Sequence, residues 1–93
     1  MTDIKIFHGV TPQIFSCLKA KSVAEHGTKY SPPDGNKGES ITSGSMWEVK
    51  LGFDFVPSSG DLTYTLISKS WIVPLDQVWD GIGSTINSCR APT

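Results

Sequence analysis

The residues that most often carry chemistry are few in this chain and lie far apart. Its two histidines, His8 and His26, show no His-x-x-x-His spacing and no companion ligands. A metal site needs at least three converging ligands, so none is predicted. A nucleophile would have to be Cys17 or a serine, and no spacing brings a histidine to either as a base. We therefore predict no catalytic residue, no metal ligand and no cofactor.

The cysteines, Cys17 and Cys89, belong to no Cys-x-x-Cys or Cys-His cluster. Free cysteine is commonly a small buried side chain, so we expect two free thiols in a reducing compartment. A disulfide between two helices is the alternative, and it becomes preferable if the protein is exported. Because the start of the chain, Met1 to Lys5, lacks the basic and apolar regions of a signal peptide, a cytoplasmic location is expected.

Length and charge narrow the classes of partner. With 93 residues, 38% hydrophobic and 18% charged, the chain is expected to form one globular domain over 1–93. The formal net charge is −1, the lysines are dispersed, and Arg90 is the sole arginine. Binding to phosphate backbones needs a basic patch, so no nucleic-acid partner is predicted. No segment approaches the ~20 apolar residues of a membrane span, so no membrane partner is expected.

Two helices are predicted, over about residues 12–26 and 75–89. Thr11 can cap the first helix, Pro12 suits its first position, and Gly27 suits a left-handed C-cap. The second helix is amphipathic, with apolar residues on one side at helical spacing: Leu75, Val78, Trp79, Ile82, Ile86 and Cys89.

A central β-hairpin is predicted over about residues 46–56 and 61–71. Apolar and other residues alternate strictly in its first strand, which places one row on one face: Trp47, Val49, Leu51, Phe53 and Phe55. The turn from Pro57 to Gly60 leads into a second row. This register predicts the following pairs: Phe55 with Leu62, Phe53 with Tyr64, Leu51 with Leu66, Lys50 with Ile67, Glu48 with Lys69, and Met46 with Trp71.

The remaining segments complete a small antiparallel sheet. A strand is predicted over about residues 3–8, with Ile4 and Ile6 buried. Residues 28–45 are rich in turn formers and are expected to form a long loop with at most a short edge strand near residues 39–42. Together these elements predict an α+β fold with both helices packed on one face of the sheet.

The order of helix, up to three strands and helix resembles that of the double-stranded-RNA-binding domain. That family carries a basic cluster at the start of its last helix, where this chain has Asp76 and Asp80. The chain thus departs from the family where binding would occur, and we reject the assignment.

The predicted register puts Met46, Ile67 and Trp71 on the outer face of the sheet, where they would form an apolar patch. The loop that begins at Tyr30 would form its rim, or would fold over Trp71 and cover it. Apolar patches commonly mark contact sites, so a non-enzymatic protein-interaction or binding module is predicted. A protein partner, or self-association through this face or through a sheet edge, would fit.

A pocket on the inner side of the sheet is the alternative. Lys21 and Glu25 interrupt the apolar side of the first helix, so a cavity between this helix and the sheet would be lined by Trp47 and bordered by charge. The protein would then be a small-molecule binder or a small enzyme.

Overall fold

The computed structural model describes residues 3–90 and has an antiparallel sheet with two helices. The elements follow in this order: β1 (Ile4–Phe7), α1 (Pro12–His26), β2 (Lys29–Ser31), β3 (Lys37–Ser43), β4 (Glu48–Val56), β5 (Asp61–Lys69) and α2 (Leu75–Arg90). The five strands lie side by side in the order β1-β5-β4-β3-β2. The α+β class is therefore confirmed, and α1 carries the chain from one edge of the sheet to the other.

The β4–β5 hairpin forms the centre of the sheet. Its predicted pairs Phe55–Leu62, Phe53–Tyr64 and Leu51–Leu66 are confirmed. Successive side chains of a strand alternate between the two faces, so this register places one apolar row on one face. The fully buried members of this row are Val49, Leu51, Phe53, Phe55, Leu62 and Tyr64.

Helix α1 begins and ends as its sequence predicts, and it covers this apolar row. The Ile14 backbone N–H donates to Thr11 Oγ1 at 3.1 Å, which caps the first turn. Gly27 has a φ of 66°, and its N–H donates to a carbonyl of the last turn. The Phe15 ring is buried with its centroid 4.7 Å from that of Phe55. The helix therefore packs its aromatic side chain directly onto β4.

Helix α2 packs on the same face of the sheet as α1. Ile86 is buried, and the half-buried side chains of Val78, Trp79 and Ile82 contact the same core. The apolar side predicted for this helix therefore faces the sheet. Within residues 3–90, no helix has the length and apolar character needed to cross a membrane.

A disulfide joins Cys17 of α1 to Cys89 of α2, so the prediction of two free thiols is wrong. The two helices lie side by side on the sheet, and the Cα atoms of these residues are 5.9 Å apart, within the range that a disulfide requires. The cysteines are separated by 72 positions in the chain. Only the packing of the helices brings them together, which their spacing in the sequence does not reveal.

The segment 28–45 is not the long loop that its composition predicts. It contains β2 and β3, which pair with each other, and β3 pairs with β4 over seven residues. Ile41 is the single large apolar residue of β3, so the strand lacks the alternation by which β4 is recognised. Backbone pairing with the edge of β4 therefore defines β3.

A β-bulge interrupts β5 next to Leu66. Leu51 pairs with Leu66, but the preceding Lys50 pairs with Ser68, which leaves Ile67 without a cross-strand partner. Beyond this point the register is shifted by one residue. The predicted pairs there are therefore wrong: Lys50 with Ile67, Glu48 with Lys69, and Met46 with Trp71.

Strand β1 faces the opposite way from the prediction. Phe7 pairs with Leu62, and its ring lies inward with its centroid 6.2 Å from that of Tyr64. Ile4 and Ile6 consequently lie on the other face, where 57% and 46% of their surface is exposed. The larger apolar area of the aromatic ring at Phe7 takes the place in the core.

Reduction of the disulfide should lower the free energy of unfolding by roughly 2–4 kcal/mol, because the bond restricts the unfolded chain across a long loop. Urea unfolding with and without reductant measures this difference. The Cys17→Ala variant serves as the control, since reductant should not change its stability further. Equal midpoints for the reduced and oxidised wild-type protein would contradict the structural role of the bond.

Candidate binding surfaces

The face of the sheet opposite the helices, which we call the outer sheet face, carries large exposed apolar side chains. Between 43% and 57% of the surface of each is accessible. They lie on β1, β4 and β5: Ile4, Ile6, Val56 and Ile67. Two threonines of β5, Thr63 and Thr65, pair with the β1 isoleucines and separate them from β4. The half of the face formed by β1 and β5 is therefore mainly apolar.

The absence of a side chain at Gly52 leaves a depression in the outer sheet face. A Cβ atom at this position would lie 3.7 Å from Ile67 Cδ1 and 3.9 Å from Thr65 Cβ. The Ile67 side chain thus extends over the glycine from the bulge. A shallow groove of about 450 Å³ lies at this position, and its borders include Gly52, Asp54 and Thr63. The bulge and the glycine together place an apolar side chain beside a depression.

The other half of the outer sheet face, on β3 and β4, carries pairs of opposite charge. Lys50 Nζ lies 3.3 Å from Glu39 Oε1, and Lys37 Nζ lies 4.0 Å from Asp54 Oδ2. These side chains are between one third and four fifths exposed, so each pair adds little stability. Each of the two pairs is neutral overall.

Met46 and Trp71 lie in neighbouring connections at one end of the sheet. We call residues 44–47 and 70–74 the tip loops. The Ser70 N–H donates to the Glu48 carbonyl at 2.9 Å, and the Glu48 N–H donates to Ser70 Oγ at 2.9 Å, which joins the two loops at their bases. Met46 is 84% exposed and Trp71 is 90% exposed. Because the Trp71 ring is almost fully accessible, the interpretation in which the segment from Tyr30 covers it is wrong.

Tyr30 does not join the other predicted binding residues. It pairs with the buried Ser40, and its ring centroid lies 5.7 Å from that of Phe53 in the core. Burial raises the pKa of the Tyr30 phenol, and a hydrogen bond with Ser22 opposes this effect. Tyr30 therefore belongs to the face covered by the helices, whereas Met46, Ile67 and Trp71 lie on the outer face or at its end.

The chain's two tyrosines, Tyr30 and Tyr64, should ionise only at higher pH in the folded protein than in the unfolded chain. Burial is the largest cause of the raised pKa in both cases. An unfolded tyrosine ionises near pH ~10, so the stability due to the neutral phenols is present below that pH and declines as the pH rises above it. Tyrosinate absorbance, measured against pH in buffer and in guanidinium chloride, tests this order. Coincident titration curves would contradict it.

A cleft opens on the inner side of the sheet between α1, α2 and β4, and we call it the inter-helix cleft. Its volume is about 330 Å³. Its lining is apolar at the floor and on two walls, with polar side chains among the rest: Trp47, Val49, Leu51, Val73, Val78, Gly81, Ile82, Ser22, His26, Thr42, Gln77 and Thr85. Trp47 lies here as the sequence predicted. Lys21 and Glu25 do not line the cleft and instead form an ion pair at 3.9 Å along α1.

A wider groove of about 950 Å³ lies between α1 and the β2–β3 hairpin. Lys19 spans it, because its Nζ donates to the carbonyls of Pro33 and Gly35 at 3.4 and 3.3 Å. The same Nζ lies 4.6 Å from the centroid of the Phe15 ring. This basic group therefore fastens the connection between β2 and β3 to α1.

His8 forms the closest contact between a histidine and an acid in the described residues. Its Nδ1 lies 2.7 Å from Asp61 Oδ1, and both side chains are accessible to solvent. Arg90 Nη2 donates to the His8 carbonyl at 2.6 Å, so the contact ties β1, β5 and the end of α2 together. Among residues 3–90, no three His, Cys, Asp or Glu side chains are grouped as a metal site.

Comparisons with known protein families, with curated proteins and with solved structures find no match to this chain.

Proposed function

We propose that the chain is a non-enzymatic protein-interaction module that binds through the outer sheet face and the adjoining tip loops. The observation that supports this most is the exposure of Ile4, Ile6 and Ile67 on one uncovered face, with Trp71 at its end. Monomeric proteins seldom expose wide apolar patches unless a partner covers them. Tryptophan is frequent among the residues that dominate binding energy, and an uncovered Trp71 has its full apolar area to bury.

A second copy of this chain is the occupant that the charges of the outer sheet face favour. Two acidic and two basic groups of its charged half are already paired within the chain, so a second copy would meet little unbalanced charge from them. A two-fold contact uses the same patch on both subunits. The apolar half would then form the centre of the contact and the charged pairs its rim, as in known interfaces.

The cytoplasmic location expected from the sequence stays a prediction. The disulfide between Cys17 and Cys89 argues against it, because structural disulfides persist mainly in oxidising compartments. The sequence favours a disulfide only if the protein is exported. We therefore propose that the module works in an oxidising compartment.

Ile6→Lys should weaken self-association by about tenfold or more, because it places a charge within the apolar half. Val23→Lys is the matched control: Val23 is 52% exposed, close to the 46% of Ile6, but lies on α1 on the helix-covered side. Sedimentation velocity over a range of concentrations compares both variants with the wild type. A wild-type protein that stays monomeric would exclude the second copy as occupant, and equal effects of both variants would contradict the assigned face.

Trp71→Ser should leave the melting temperature nearly unchanged, because a side chain that is 90% exposed contributes little to folding. The same substitution should weaken self-association, because the proposed contact includes the tip loops. Thermal unfolding and sedimentation of this single variant measure the two effects. A large loss of stability with unchanged association would show that Trp71 packs within its own chain and would remove it from the proposed surface.

A further inference from the structure

The inter-helix cleft has a floor of buried side chains and a wall formed by a packed indole ring. The floor consists of Val49 and Leu51, which are 5% and 6% exposed and belong to the central strand β4. Trp47 forms a wall, and its indole packs against Gly44, where any Cβ atom would collide with the ring. The Gly44 N–H also donates to the Trp47 carbonyl at 2.9 Å. The orientation of the indole is therefore set before any ligand arrives.

Helix α2 lacks a side chain where one could fill the cleft. Gly81 is exposed and borders the cleft, and a Cβ atom built there would meet nothing within 4 Å. A helix is less stable with glycine in its interior than with alanine or leucine. This position therefore lowers the stability of α2 and leaves space beside the helix. Val78 and Ile82, one turn apart on the same helix, line the cleft on either side of that space.

The disulfide secures the helix pair away from this cavity. Cys17 lies in the first half of α1 and Cys89 near the end of α2. The cleft is lined instead by Ser22 and His26 from the second half of α1, and by Gln77 from the start of α2. The helices are thus held together at one end, and the cavity opens between them at the other.

The side chains at the cleft define the chemistry of its ligand. The polar members of the lining are neutral hydroxyl and amide groups with one imidazole, and the lining contains no Asp, Glu, Lys or Arg. An ionised ligand would lose its hydration there without gaining a counter-charge. An apolar body would be buried against Trp47 and Leu51, and a hydroxyl or carbonyl could bond near His26. The volume of about 330 Å³ suits a small molecule.

We propose that the inter-helix cleft binds an uncharged, largely apolar small molecule that carries one hydrogen-bonding group. This inference does not depend on the outer sheet face, which lies on the other side of the sheet, and it shares only Trp47 and Val73 with the tip loops. It adds a small-molecule site to a chain whose proposed partner is a protein.

N-phenyl-1-naphthylamine, an uncharged apolar fluorophore with one N–H group, is a suitable probe. Its fluorescence should rise saturably on titration with the wild-type protein. Gly81→Leu should weaken this binding by about tenfold or more, because the added side chain would narrow the opening of the cleft that Gly81 borders. The melting temperature of the Gly81→Leu variant should not fall, since leucine favours the helix more than glycine does. Ser88→Leu, which adds the same side chain at an exposed position of α2, is the control and should bind as the wild type does.

Two further measurements make the result decisive. In amide and indole N–H spectra of the wild-type protein, the Trp47 indole signal should shift with the probe, and the Trp71 signal should not. Ile6→Lys should leave probe binding unchanged, so failure on the outer sheet face and failure in the cleft can be told apart. Absence of saturable binding, a shift confined to Trp71, or undiminished binding by a folded Gly81→Leu variant would overturn the proposal.

Discussion

Two helices can cover only one face of this five-stranded sheet, and the alternation of β4 decides which face that is. Phe53 and Phe55 must leave water together, and they do so against Phe15 of α1. Every other feature follows from that choice. The side chains of β4 and β5 that alternate with this apolar row point to the other face of the sheet. There, Gly52 and the bulge at Ile67 shape an uncovered surface. The space that the two helices do not fill becomes the inter-helix cleft.

Local signals in the sequence were sufficient for the helices and for the centre of the sheet. Thr11 and Gly27 fix the ends of α1 through backbone hydrogen bonds of their own neighbourhood. The alternation of β4 and the length of the following turn fix the register as far as Leu66. Beyond it, the bulge could not be predicted, because Ile67 and Ser68 carry no turn or glycine signal. In β1, Phe7 and the isoleucines compete for the core, and the sequence alone does not rank them.

Prediction of the binding surfaces was limited by contacts that depend on the whole fold. Trp71 is exposed as expected, but for another reason: the bulge reverses the faces of β5, and the strand then ends at Lys69 before the tryptophan. The sequence predicts a loop at Tyr30, because the strands β2 and β3, which pair there, have no apolar pattern. The alternation of β4 predicts Trp47 on the inner side, where it lies, whereas the open space at Gly81 is visible only once α2 is packed on the sheet.

The covalent bond between the helices divides the chain in a way that hydrogen bonding does not. The bond closes a ring from Cys17 to Cys89 that includes β2, β3, β4 and β5, whereas β1, alone among the strands that the structure describes, lies outside it. Its pairing with β5 extends over only four residues. Detachment of β1 therefore needs no opening of the ring and uncovers the edge of β5. The covalent topology thus permits strand exchange between two copies while the rest of each core stays closed.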